Sequence, residues 1–254
     1  MQLLSFLLIF LMTSFIDADE TWQLPPKEVV EIIDAKPEPS VSFSPDSKWM
    51  LFLDLDAMPD ISDIARRRLR LAGTRIDPKT NGRFQTSWYR GMSLRKTDAE
   101  AGDRGSAIDL GTAAKVGWAR WSHDSQKLLF TKVTNTGTSL HVCFVESGEI
   151  RQLHDNISTI MQSPQWMPDA EHVVLLVVPE SRGDEPPAPV APSGPAIQES
   201  SGNTSPTRTY QDLLKTPHDE SLFEYYVTTK LLVLNLDGTI IHQSPDPALS
   251  LIRI

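Results

Sequence analysis

Six arginines, Arg66, Arg67, Arg68, Arg70, Arg75 and Arg83, crowd a short stretch of a chain whose formal net charge is −9. A guanidinium is a planar fork that can take both oxygens of a carboxylate, so this cluster is where the sequence could hold an acidic group. The plainer expectation is a solvated face whose arginines pair with some of the 33 Asp and Glu residues. Other reactive side chains are dispersed. His123, His141, His154, His172, His218 and His242 show no metal-ligand spacing, so no metal is expected and structural or surface roles are assigned to them. Cys143 stands alone in LHVCFV, which excludes an internal disulfide and reads as a small apolar strand residue. The chain contains no G-x-S-x-G, so it lacks a nucleophile elbow, and no catalytic residue and no cofactor are assigned. With 24 basic residues against 33 acidic ones, nucleic acid is not an expected partner.

The elements that would position any site are set by a repeat. Ser40 to Asp54 reads SVSFSPDSKWMLFLD: alternating residues, a Ser-Pro-Asp-Ser turn, then an apolar run. The phrase returns as WARWSHDSQKLLFTKV from Trp118 and as SPQWMPDAEHVVLLVV from Ser163. Aligned without gaps, Phe43, Trp121 and Trp166 coincide, and so do Asp46, Asp124 and Asp169. Trp118, Trp121 and Trp166 are expected to pack in the core, and the aspartates predict turn chemistry. The second step, from Asp124 to Asp169, is 45 residues, close to one four-stranded propeller blade. The first, from Asp46 to Asp124, is 78 and requires an insertion.

In chain order, residues 1–18 form an apolar leader of signal-peptide type, too short to be a stable membrane span, which implies export to a periplasmic or extracellular space. Residues 19–39 hold a short helix with Val29, Val30, Ile32 and Ile33 as its apolar face. Residues 40–254 are expected to be all-β, an incomplete β-propeller of about three four-stranded blades with two long, partly helical insertions. Blade one spans 40–111 with an insertion over 55–89, blade two spans 116–153, and blade three spans 163–243 with an insertion over 179–227. Within the first insertion, Asp60 or Ser62 reads as the N-cap of a helix carrying Ile64, Leu69 and Leu71, with Gly73 as its C-terminal cap. In the second, a Pro-rich start gives way to a helix near Asp219–Tyr226. Asp237-Gly238 marks a hairpin. Three blades cannot close a ring, so a fragment is expected, with Val174 to Val177, Leu232 and Leu234 facing a missing fourth blade.

Both insertions resemble those of a known family. PDISDIAR (Pro59–Arg66) with LRLAGTRIDPKTNGRF (Leu69–Phe84), then APSGP (Ala191–Pro195) with RTYQDLLKTPHDESLFEYY (Arg208–Tyr226), are similar to the N-terminal region of glutamyl endopeptidases, serine peptidases of the prolyl oligopeptidase superfamily. The resemblance implies an N-terminal propeller that limits or docks peptide substrates, followed by an α/β-hydrolase domain bearing a Ser-Asp-His triad. None of that triad lies in this chain, so its partners would be the remaining propeller, the hydrolase domain and peptide substrates. A peptidase that cleaves after glutamate must meet a carboxylate with a cation, and Arg75 and Arg83, in the matching stretch, are the candidate carboxylate readers. A stand-alone propeller-like binding module and a remnant of a disrupted gene are the alternatives.

Overall fold

The structure is a computed structural model that describes residues 24–249, except 101, 104, 113, 192, 193, 195–201 and 203–209. The apolar leader lies outside the described residues. The chain divides into two units, 1–36 and 37–254. In the first, helix α1 (Lys27–Ile33) starts directly after Pro26. The expected helix is there, but the apolar face is not covered: no residue of α1 is buried, and Val29, Ile32 and Ile33 are exposed.

The second unit is built from antiparallel sheets, as the alternating repeats predicted. Strands β1 (Ser40–Phe43) and β2 (Trp49–Leu55) flank the first Ser-Pro-Asp-Ser turn. A short helix α2 (Ile61–Ile64) and strands β3 (Leu69–Leu71), β4 (Thr74–Asp77) and β5 (Gly82–Arg83) make up the first insertion. Strands β6 (Tyr89–Lys96) and β7 (Ser106–Ala107) then complete a sheet in the order β1-β2-β6-β7. A second sheet follows from β8 (Val116–Trp121), β9 (Lys127–Val133), β10 (Thr138–Phe144) and β11 (Ile150–His154), each strand pairing with the next. One residue pair, Tyr89 with Val116, bridges it to the first sheet. The third sheet is β12 (Gln165–Trp166), β13 (His172–Val177), β14 (Thr228–Asn235) and β15 (Ile240–Gln243), with β16 (Ala248–Leu249) on one end of β14. Helix α3 (Pro217–Val227) lies in the second insertion, between β13 and β14.

The strands are stacked as blades because each sheet has two apolar faces to cover. On β9, Leu128 and Phe130 pack against Leu51, Leu53, Met92 and Leu94 of the first sheet. The intervening Leu129, with Leu140 and Val142 of β10, packs against Val173, Leu175, Leu232 and Leu234 of the third. A strand buried on both faces reads as a continuous apolar run, which is why KLLF lacks alternation. Strand β1 has a neighbour on one face only and alternates, with Val41 and Phe43 exposed.

The recurring turns share one geometry. Oδ1 of Asp46, Asp124 and Asp169 accepts the backbone N–H two residues on, at 3.1, 3.0 and 2.9 Å. The next residue, Ser47, Ser125 or Ala170, is left-handed, with φ of 60, 62 and 56°. All three carboxyls are held below the usual range: Asp46 chiefly by the Ser44 hydroxyl, Asp124, against the cost of burial, by the Lys127 and Ser122 side chains, and Asp169 chiefly by His172 Nδ1, which brings it to about 2, with the backbone N–H bonds adding in each case.

Two expectations are corrected. Leu69, Leu71 and Gly73 do not continue a helix from Asp60. Asp60 does cap α2 by accepting Ser62 N–H at 2.7 Å, but that helix is a single turn. Leu69–Leu71 and Thr74–Asp77 then form a hairpin whose corner is Ala72-Gly73, both at positive φ, the geometry of a two-residue hairpin turn. In the third sheet, Leu175, Val177, Leu232 and Leu234 are buried against the second sheet, so only Val174 and Leu176 of those expected to face a further blade lie on the open side. Side chains of a strand alternate in direction, so one run cannot commit all its members to one face.

Candidate functional site

Each blade turns at its Asp at one end and sends its second strand toward the other, so the two insertions leave from the same end. They meet there and form a core of their own. Leu71 and Ile76 of the first insertion pack with Leu222, Tyr226 and Val227 of α3 and with Ile160, which precedes β12. Helix α3 is set by a capping box: Thr216 accepts Asp219 N–H, and the Asp219 carboxylate accepts Thr216 N–H. Gly73 N–H donates to Asp212 O at 3.0 Å. The Arg67 fork donates to both oxygens of Glu185, at 3.2 and 2.7 Å, and Tyr226 OH donates to the same carboxylate at 2.8 Å. Those donors hold Glu185 below its usual pKa, while burial, followed by the Glu185 contact, raises Tyr226 above its own. Arg182 lies over Tyr225 at 4.3 Å and donates to Asn81 Oδ1 at 2.5 Å.

The arginine cluster is largely absorbed by this layer. Arg66 pairs with Asp77, donates to Gln85 O at 2.5 Å and sits over the rings of Phe84 and Trp88. Asp63, 1% exposed, lies among Lys115, Arg66 and Arg90 at 2.6, 3.5 and 3.7 Å. A carboxylate taken out of water needs such partners. Arg68 covers the Phe84 ring.

The structure separates the two candidate readers. Ile76 and Arg83 are cross-strand partners, so they share a face of the three-stranded sheet. Ile76 is fully buried in the layer it shares with α3 and Ile160, whereas Arg83 is itself exposed and its Nε donates to Ile160 O at 2.8 Å. Arg75, one residue before Ile76, belongs to the opposite face. It stands across from Arg70, a pairing of like charges that is unfavourable alone, and Asp212 lies 3.5 Å from its Nε. The two arginines therefore do not converge on one ligand.

Arg83 borders a cleft of about 260 Å³ between the first insertion and the start of β8, the first strand of the second blade. Gln85, Trp88, Trp118, Thr131 and Thr159 contribute to its wall, and no Asp or Glu does. Two glycines keep it open. A Cβ on Gly117 would come within 3.2 Å of Thr131 Oγ1 and 3.3 Å of Trp88, and one on Gly82 within 2.7 Å of Thr159 Oγ1. Trp88 is 4% exposed, and its indole N–H has no acceptor among the described residues. The sequence signals for this cleft were weak, because Trp88, Gly117 and Thr159 lie in three separate segments. A larger cleft of about 920 Å³ lies at the turn end, where Lys48, Lys96 and Lys127 stand beside Asp46, Asp98 and Asp124. Among the described residues, no group of His, Cys, Asp or Glu could hold a metal ion, and no helix is long and apolar enough to cross a membrane.

Face-packed four-stranded blades with insertions gathered at one end define a propeller-type scaffold, and the comparisons place it further. Probable chloroplastic glutamyl endopeptidases of Oryza sativa subsp. japonica and Arabidopsis thaliana are 36% and 33% identical to the chain, each over 89% of it. The chain is similar to a segment of these two proteins and spans about a quarter of their length, 26% in both cases. Among solved structures, Pyrococcus horikoshii acylaminoacyl peptidase overlaps 85% of this chain and 26% of its own at 11% identity, with a TM-score of 0.41. The β-propeller domain of the Trilobed protease from Pyrococcus furiosus overlaps 85% of this chain and 45% of its own at 9% identity, also with a TM-score of 0.41. No protein-family model matches the chain.

Proposed function

We propose that this chain is the propeller portion of a serine endopeptidase of the glutamyl endopeptidase type, where it docks and gates peptide substrates for a hydrolase domain. The observation that carries the reading is the 36% identity over 89% of the chain, which takes in scaffold and insertions together. The geometry supports a division of labour between the two arginines. Arg83 faces a cleft without acidic residues and serves as the carboxylate reader. Arg75 faces away, and Asp212 takes its charge. The chemistry itself belongs to groups outside this chain, since an elbow serine is required and none is present.

The test is a full-length enzyme in which this chain replaces the corresponding segment of a glutamyl endopeptidase. Arg83→Ala should lower kcat/KM on a glutamate-containing peptide by roughly 10- to 100-fold, a charge-assisted hydrogen bond being worth about 1.5–3 kcal/mol. Arg75→Ala should leave kcat/KM within about twofold and act on thermal stability instead. Equal kcat/KM for Arg83→Ala and the parent would remove Arg83 from substrate recognition.

A further inference from the structure

We infer that the two open blade faces of this chain are complementary, and that a second copy of the chain closes on both to form a ring of six blades. With Asp46, Asp124 and Asp169 in register, Leu51, Leu129 and Val174 coincide, and so do Phe52, Phe130 and Leu175. The first set points forward along the stack: Leu51 packs on the second sheet and Leu129 on the third. The second set points backward: Phe130 packs on the first sheet and Leu175 on the second. One kind of interface, forward face on backward face, is thus made twice within the chain. Its two halves are left over at the ends of the stack. Val174 and Leu176 of β13, opposite Val233 and Leu231 of β14, form a forward face of four aliphatic side chains, all half-buried. Val41 and Phe43 of β1, opposite Phe52 and Met50 of β2, form a backward face, with Val41 46% and Phe43 58% exposed.

The occupant follows from what these faces repeat. Each continues the interface already present between the blades, and a copy of this chain brings to each the half that it lacks. Unlike faces that meet head to tail close into a ring when the rotation allows. Two copies supply six blades, within the roughly four to eight over which propellers close. The indole contacts mark the same register. Trp121 Nε1 donates to Ser42 Oγ, one residue before Phe43, and Trp166 Nε1 donates to Arg120 O, one residue before Trp121. The third blade presents the equivalent position at Gln165, one residue before Trp166, exposed and paired with Val174. In the ring, Phe43 of one copy comes to Gln165 of the other, where it supplies an aromatic ring without an N–H. Its neighbour Phe52 meets Val and Leu side chains, as Phe130 meets Leu51 and Leu53 inside the chain.

The test is sedimentation equilibrium of the full chain and needs no peptidase activity. The mass should rise with concentration from 28.4 kDa to twice that value and stop there. Phe43→Trp adds a donor at each of the two interfaces, so it should tighten the dimer at least fivefold. Phe43→Ser and Leu176→Asn should each weaken it at least tenfold. An equimolar mixture of those two variants rebuilds one intact interface, from the forward face of the first and the backward face of the second. It should therefore contain more dimer than either variant alone. Phe43 is exposed, so its two substitutions leave the blade's own packing in place and keep the test decisive if Leu176→Asn fails to fold. A chain that stays monomeric at every concentration would overturn the ring. So would a mass that climbs past the dimer, which marks an open polymer, or a dimer indifferent to both Phe43 substitutions, which marks pairing through another surface.

Discussion

A single side chain can set the acid limit of this fold. His141 lies on β10, 7% exposed, stacked on Phe130 at a centroid distance of 5.3 Å, with Nε2 2.9 Å from Ser139 Oγ. Burial, followed by the nearby Lys132 charge, pushes its pKa down to about 4 from 6.5. The folded state therefore stays neutral over a range where the unfolded chain takes up a proton. The stabilisation is complete above pH 6.5 and is lost as pH falls toward 4, where both states are protonated. Between pH 7 and pH 5 this one group should remove about 2 kcal/mol of stability. Denaturant titrations at the two pH values check it: His141→Phe should shrink the difference, and an unchanged difference would acquit His141. Cys143 is the opposite kind of residue, its thiol raised to about 11 by burial, so it stays protonated and inert, as its place in LHVCFV suggested. The arginine cluster was visible in the sequence. Its partition between ion pairs and cleft was not, because Glu185 and Asp212 sit more than a hundred residues away from the arginines they meet.

Among the elements, the blade strands were legible and the first insertion was not. Strands β9 and β10 announced themselves through apolar runs bounded by turns, because burial on both faces favours apolar residues at successive positions, with Thr131, Thr138 and His141 as the buried polar exceptions. The Leu69–Asp77 hairpin was misread as helix for a physical reason: Leu69 and Leu71 at a spacing of two fit a strand, yet the capping signal at Asp60 was genuine and drew the helix past its single turn. What joins one element to the next is a repeated indole contact. Trp121 Nε1 donates to Ser42 Oγ of β1 at 3.2 Å, and Trp166 Nε1 donates to Arg120 O of β8 at 3.3 Å. Each tryptophan closes the first strand of its own blade and reaches the first strand of the blade before. Replacing Trp121 by Phe keeps most of the packing and removes the bond, so it should cost about 1 kcal/mol, whereas Trp121→Ala should cost about 3–5 kcal/mol. Ser42→Ala should add little on the Trp121→Phe background. Full additivity in that double-mutant cycle would show that the contact carries no energy.

For the molecule as a whole, the order of the stack was readable from the three repeats, but the meeting of the two insertions was not. Their contacts depend on both leaving the same end of the blades, a fact of three-dimensional strand direction rather than of local pattern. The same strand direction makes the stack asymmetric. Every indole grip points backward along the chain, and Phe43, in the equivalent place on the first blade, has a ring but no N–H to donate. The array therefore has a built-in arrow of time during synthesis. A ribosome delivers the first blade before Trp121 exists, then delivers with the second blade the anchor that fastens it to a finished surface, and repeats the step with Trp166. Nothing in this sequence of events requires an earlier segment to wait for a later one to supply a donor. Ribosome-stalled chains should show this as stepwise protease resistance: residues 40–111 should gain protection once residue 154 has left the exit tunnel, and Trp121→Ala should delay that step without affecting the cleavage pattern of shorter chains. Protection that arrives in a single step, only when the whole chain has emerged, would mean that the blades assemble together and that the backward grip has no role in the order of folding.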